Sequence, residues 1–388
     1  MVGRPGATRV GQSGAKRSGT ARSALPAGLV LAGAVSVQTG AGIASRLFSQ
    51  LPPASVTALR LWSAALVMVI VAGRPAARAL ADLKRRGARQ DAVIATAFGV
   101  DLGFMNFAIY QSFARIPLGI AVTIEFLGPL TVTVTAALAG RQTVRGRAVA
   151  LGCAALAAIG VILLGNSAVG HLNWAGVAWG VGAGAAWACY IIGSKSTGQR
   201  IPGSAGLVVA MCVAAAVVTV PGVVAGGGRM FHPQFVALGA AIGILSSVIP
   251  YWLELEALRR ISAQLFGVWM SLQPAVAALI GLALLSQRLS LTDWLGIGCV
   301  VTASAAATRR PAAPPPIIEA LGAEPWTVAE TPPGGAAAEA AQPEPAKPNA
   351  SATRAVNGAL AWCACFTVSS PRCSAPRCGR CTAGRWPR

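Results

Sequence analysis

The chain has 388 residues, of which 54% are hydrophobic and only 11% charged, with a mean hydropathy of +0.61. Runs of roughly 20 apolar residues recur, the length that crosses a hydrocarbon core, so a string of soluble domains is excluded. The formal net charge of +20 does not mark a nucleic-acid binder, because Lys and Arg gather in alternate loops and in the tails rather than in one patch.

The apolar runs lack the alternation of barrel strands, which leaves an all-α membrane protein. Residues 1–24 form a basic N-tail with Arg4, Arg9, Lys16, Arg17 and Arg22 and no acid. It reads as a disordered cytoplasmic segment rather than a signal peptide, since the following run is long and has no clear small-residue cleavage site. Ten spans are expected at about 25–45, 54–73, 92–113, 117–139, 146–165, 174–194, 204–225, 234–256, 262–286 and 290–308. The N-tail, the 74–91, 140–147, 195–202 and 257–261 loops and Arg309–Arg310 together carry twenty basic residues. The intervening segments carry four, Arg46, Arg115, Arg229 and Arg288. That asymmetry places both termini in the cytoplasm, in a multi-pass membrane protein. A nine-span arrangement would break the alternation.

Within the spans, ionisable and polar residues are few. Gln38 lies in the first, Arg60 in the second, and Asp101, Asn106 and Gln111 in the third. Arg60 is two turns into its span, so it either snorkels outward or faces a cavity, where its guanidinium would bind a carboxylate bidentately. The fourth span, IPLGIAVTIEFLGPL, carries Glu125 in an otherwise apolar stretch. An ionised Glu near a helix centre in lipid costs about 2.5–3.5 kcal/mol, so it faces either a neighbouring helix or a cavity. Gly128 and Pro129 follow it and are expected to loosen the helix, since Pro supplies no backbone donor. A carboxyl group that alternates between protonated and ionised states would hold and release a substrate ammonium, a physical basis for proton antiport.

Trp187 and Tyr190 in the sixth span, Tyr251 in the eighth and Trp269 in the ninth are candidate pocket walls, with lipid-facing positions the alternative for each. Glu254 in the eighth span lies deeper than Glu256, which is set to pair with Arg259 and Arg260 at the helix end. Gln273 and Pro274 sit in the ninth span, with Pro274 the counterpart of Pro129.

An internal repeat links the two halves. Arg115-Ile116-Pro117 with Pro129 matches Arg260-Ile261-Ser262 with Pro274 at an offset of 145, which also carries Gln142 onto Gln287. Two five-span units of this kind must be inverted relative to each other, a plan recurrent in secondary transporters. The organisation expected is therefore 1–24 as a disordered N-tail, 25–165 and 174–308 as two inverted five-helix repeats, and 309–388 as a disordered Pro/Ala/Cys-rich C-tail. Stripes of Gly176, Gly180, Gly184 and of Gly239, Gly243, Ser247 are suited to close helix packing.

Cys153, Cys189, Cys212 and Cys299 lie singly in spans as packing residues. Cys363, Cys365, Cys373, Cys378 and Cys381 crowd the C-tail without the second Cys-x-x-Cys or nearby His of a usual zinc site, so no metal and no cofactor are expected. No P-loop is present, and His171 and His232 stand in outward loops, away from any nucleophile–base pair. The chain is not expected to be an enzyme.

The stretches 105–130 (MNFAIYQSFARIPLGIAVTIEFLGPL) and 249–275 (IPYWLELEALRRISAQLFGVWMSLQPA) resemble the threonine/homoserine exporters of the EamA-type drug/metabolite transporter superfamily. AVSVQTGAGIAS (34–45), TALRL (57–61) and GAGAAWACYI (182–191) share the resemblance, which covers about residues 25–308. It implies a ten-helix inner-membrane carrier exporting small neutral amino acids against protons. Two positions depart from the family pattern. Gln273 stands where Glu is common, and Ser286-Gln287 where Gly-Glu is common, so the coupling group is in question. The partners expected are a small amino acid, protons and the lipid bilayer, with a homodimer as one open assembly. The alternatives are export of another amphiphilic metabolite or drug, or a scaffold acting through the tail.

Overall fold

The structure is a computed structural model that describes residues 17–139, 143–165, 173–201 and 204–309. Most of the N-tail, Arg141, Gln142, His171 and the Cys-rich C-tail lie outside the described residues. Thirteen α-helices form ten membrane-length spans among the described residues. They are α1 (Arg17–Leu47), α2 (Pro53–Arg85), α3 (Arg89–Phe113), α4 (Leu118–Glu125), α5 (Leu127–Ala139), α6 (Val144–Gly165) and α7 (Trp174–Arg200). The rest are α8 (Ala205–Gly226), α9 (Pro233–Gly243), α10 (Ile249–Leu258), α11 (Ala263–Met270), α12 (Gln273–Leu285) and α13 (Leu291–Thr308).

Local signals explain the helix starts. Pro53 opens α2 at a position where its missing N–H is not needed. Asn173 and Ser262 accept from the backbone N–H of Gly176 and Leu265 at the starts of α7 and α11. Ser290 and Asp293 form a reciprocal capping box at the start of α13.

Three spans are interrupted. The fourth is split at Phe126 into α4 and α5, and the ninth at Ser271–Leu272 into α11 and α12. Both halves α4 and α11 are eight residues long, and α11 starts 145 residues after α4, the repeat offset read from the sequence. The breaks fall just before Pro129 and Pro274 rather than on them. A proline lacks the donor for the carbonyl four residues earlier and crowds it, so the distortion falls in the preceding turn. The third interruption is a π turn over Ile244–Val248, between α9 and α10 and ahead of Pro250.

Two connections are shorter than expected. α2 continues through Pro75 to Arg85, so the 74–91 segment is mostly helix. Ala76 is buried there against the cluster of Ile201, Ala205 and Val208, which holds the extension in place. α7 likewise runs on to Arg200, whose guanidinium meets Asp91 at 3.2 Å.

The bundle packs α1 against α10 and α12, α2 against α8 and α9, and α3 against α7 and α8. α4 lies between α12 and α7, and α6 against α13. The core runs from Ala41 and Leu61 through Tyr110 and Ile124 to Met211 and Val300. Outward faces carry Ile70, Val71 and Val224 at more than 70% exposure. Aliphatic surface of that extent suits lipid and not water.

The glycine stripes act at helix crossings. A Cβ on Gly176 would meet Arg115 and Ile116, one on Gly180 would meet Ile124 and Ser112, and one on Gly184 would lie 2.9 Å from the Glu125 carbonyl oxygen. On the other side, Gly239 abuts Leu59 and Gly243 abuts the backbone of Arg60. The backbones that carry Glu125 and Arg60 are thus each backed by a glycine on a neighbouring helix.

Candidate functional site

Glu125 is the last residue of α4, at the break of the fourth span. Gly128 seats the start of α5 on Gly184 of α7, and Gly184 lies against the Glu125 carbonyl. Sequence places small residues on both sides of this crossing, so the carboxylate is carried on a break that is packed rather than loose.

Arg60 lies about 10 Å along α2 from its start at 1.5 Å per residue. Of the two orientations open from sequence, the guanidinium takes the inward one. Its Nη1 donates to Asn106 Oδ1 at 2.9 Å, and its central carbon stands 5.2 Å over the Tyr110 ring. Asn106 is buried, and its Nδ2 donates to the Leu102 carbonyl at 2.8 Å, which turns its oxygen toward Arg60. Tyr110 is almost fully buried and its hydroxyl makes no hydrogen bond. The Arg60 Nε is enclosed without a hydrogen bond, and Nη2 likewise has no partner among the described residues.

The charge of Arg60 reaches both Glu125 and Tyr251, and that of Glu254 reaches Tyr251 and Tyr190. These five residues come from α2, α4, α7 and α10 and share one neighbourhood. Glu125 is half-buried, and Tyr251 keeps 39% of its surface exposed. Glu254 faces Gly33 of α1, where a Cβ would sit 3.7 Å from its Cγ. Among the described residues neither Arg60, Glu125 nor Glu254 is in an ion pair. Glu256 is, with Arg260 at 2.5 Å and Arg259 at 3.3 Å, the helix-end pairing its spacing implied.

Gln38 is buried on α1, and its Nε2 donates to Gln273 Oε1 of α12 at 3.3 Å. Gln273 in turn points its amide nitrogen at the Met270 sulfur, 3.5 Å away. Trp187 packs edge-on against Phe126, with ring centroids 4.8 Å apart. Both rings wall a cavity of about 120 Å³ that also meets Pro129, Met270, Ser271 and Thr308, so it touches both broken spans. Tyr190 packs against Phe98 with its ring tilted by 37°, the centroids 5.2 Å apart. Trp269 is half-buried on α11 and makes no ring contact or side-chain hydrogen bond with the other candidates among the described residues. Pro129 and Pro274 sit in the first turns of α5 and α12.

Asp101 has one carboxylate oxygen enclosed without a hydrogen bond, and no basic partner for it stands among the described residues. Among the described residues no group of three or more His, Cys, Asp or Glu is placed to hold a metal. Two contributors were not singled out from the sequence, Tyr110 and Phe126. Tyr110 follows Asn106 by four residues on α3, the spacing that sets both on one helix face.

The second departure from the family pattern is accounted for by geometry. Ser286 ends α12 in the left-handed region at φ 54°, and the Gln287 N–H bonds the Gly281 carbonyl across it. Glycine is favoured at such a position. The Gln287 Oε1 accepts from the Leu118 N–H at 2.9 Å, capping α4 from the connection between α12 and α13, since Pro117 offers no cap of its own. Its oxygen serves whether the side chain is an amide or an acid.

Comparison with known proteins adds three findings. The model of the EamA-like transporter family matches residues 174–309. The threonine/homoserine exporter RhtA of Escherichia coli (strain K12) is 34% identical over 284 residues, covering 73% of this chain and 91% of that protein. The protein of the same name from Salmonella typhimurium (strain LT2) is 34% identical over 287 residues, again covering 73% and 91%.

Proposed function

Because the chain belongs to the EamA-like transporter family, in its threonine/homoserine exporter branch, we propose that it exports small neutral amino acids of the threonine or homoserine type by proton antiport. It is a multi-pass inner membrane protein. The observation that carries the reading is Glu125, a half-buried carboxylate at a break within its span, with no ion-pair partner among the described residues. A lone carboxylate in such a setting alternates between holding a proton and holding a cationic group, which is the exchange an antiporter needs. Glu254, likewise without an ion-pair partner among the described residues, is a second station.

In this family the ninth-span position that Gln273 occupies commonly carries an acid, and here it is an amide hydrogen-bonded to Gln38. An amide does not titrate, so coupling rests on Glu125 rather than on that position. The equal lengths and constant offset of α4 and α11 support two five-helix repeats, 25–165 and 174–308, related by inversion. The break of each repeat would then meet the other near the cavity walled by Phe126 and Met270. The Lys/Arg asymmetry supports cytoplasmic termini.

The test is uptake of labelled threonine and homoserine into everted vesicles holding the full chain. Accumulation above that of empty vesicles is expected for at least one of them. Uptake equal to empty vesicles for both would discard the substrate class and turn attention to another amphiphilic metabolite.

A further inference from the structure

Arg60 is a half-buried, inward-facing cation whose direct contacts are neutral. Its contacts are an amide oxygen and an aromatic face, and no carboxylate lies within ion-pair distance among the described residues. Such a charge inside a membrane protein is costly and normally finds an anion. Asn106 and Tyr110 orient the guanidinium without neutralising it. Tyr110 supports it by a cation–π contact, and the Asn106 amide is itself fixed on the Leu102 carbonyl. The arrangement leaves Nη2 without a partner among the described residues, so the guanidinium keeps donors free for a carboxylate.

Glu125 at the end of α4 is near enough for the two charges to act on each other, yet it is not paired with Arg60 among the described residues. The two opposite charges are held apart by the separate anchoring of α2 on α3 and of the α4–α5 break on α7. A molecule that bears an ammonium and a carboxylate satisfies both at once.

We infer that Arg60 is the receptor for the carboxylate of the transported amino acid and that Asn106 positions it by staying neutral. This rests on the amino-acid exporter reading, and it specifies which end of the substrate is read. The zwitterionic head is recognised between Arg60 and Glu125, so an amine that lacks the carboxylate is rejected. Asp at position 106 would place an anion on the guanidinium in place of the amide oxygen and occupy the receptor from within. A substitution that merely disturbed the helix would weaken all ligands alike.

Binding to the purified full chain tests this by titration with L-threonine, with threoninol, which lacks the carboxylate, and with N-acetyl-L-threonine, which lacks the ammonium. Wild type should bind threonine at least tenfold more tightly than either analogue. Arg60→Gln should bring the threonine-to-threoninol ratio close to one, and Arg60→Lys should retain part of it. Asn106→Asp should weaken threonine at least tenfold while threoninol binds as well as in wild type or better. Melting temperatures of the same samples identify any variant that has lost its fold, and the wild-type analogue series stands without variants. Wild type that binds threonine and threoninol equally would overturn the inference and leave the exporter reading intact, as would Arg60→Gln that keeps the ratio. Wild type that binds none of threonine, homoserine and the analogues would overturn the reading and the inference together.

Discussion

Replacing Gly128 by Ala tests whether the break at Phe126 is held by close contact with α7. The added Cβ would lie 2.7 Å from the carbonyl carbon of Gly184 and 3.1 Å from its Cα, with the carbonyl oxygen nearer still. Those atoms are backbone and cannot swing aside. Ordinary contact begins at 3.4 Å, so α5 and α7 must part by about 0.7 Å or more. A gap of 0.5–1 Å forfeits roughly a quarter to a half of each contact's attraction, and overpacking of this kind costs about 1–3 kcal/mol. The matching control is Gly152→Ala on α6, where a Cβ would meet nothing within 4 Å. There the better helix propensity of Ala should add roughly 0.5–1 kcal/mol. Thermal unfolding of the two variants in one detergent should move in opposite directions, and transport should fall only for Gly128→Ala. If both variants melt alike, the break is not packed on α7 as described.

Gln287→Leu should cost about 1–3 kcal/mol by leaving the Leu118 N–H without its acceptor, whereas Gln287→Glu should unfold at the wild-type temperature and transport normally. Ser286→Gly should stabilise by roughly 1 kcal/mol, because glycine adopts φ 54° without the steric cost that a Cβ brings. Arg200→Ala removes a part-exposed pair with Asp91 and should change stability by less than about 1 kcal/mol in the same melting assay. Removing 311–388 should leave vesicle uptake intact, since the site is built from α1 to α12; loss of uptake would favour a role for the tail.

The ten spans could be read from the sequence because each is a long apolar run bounded by basic loops, and hydropathy registers that directly. Helix ends in polar sequence could not. Hydropathy stops near residue 73, but the Ala- and Arg-rich segment to Arg85 is still helix-forming and is held by Ala76. The proline landmarks of the fourth and ninth spans were legible, though the break itself lies in the preceding turn, at Phe126 and at Ser271–Leu272. Glu125 stood out as a carboxylate among apolar residues. The orientation of Arg60 did not, since it depends on Asn106, 46 residues away on another helix. The roles of Gln273 and Gln287 also needed the fold, because their partners are Gln38 and Leu118, 235 and 169 residues distant.

The most direct test of the coupling mechanism is threonine and homoserine uptake into everted vesicles, with and without an imposed pH gradient, for wild type and Glu125→Gln. Gradient-driven uptake should be present in wild type and reduced at least tenfold in Glu125→Gln, with residual exchange down a substrate gradient. Gradient-driven uptake that Glu125→Gln retains in full would contradict the account and move the coupling role elsewhere, with Glu254 the next carboxylate to examine.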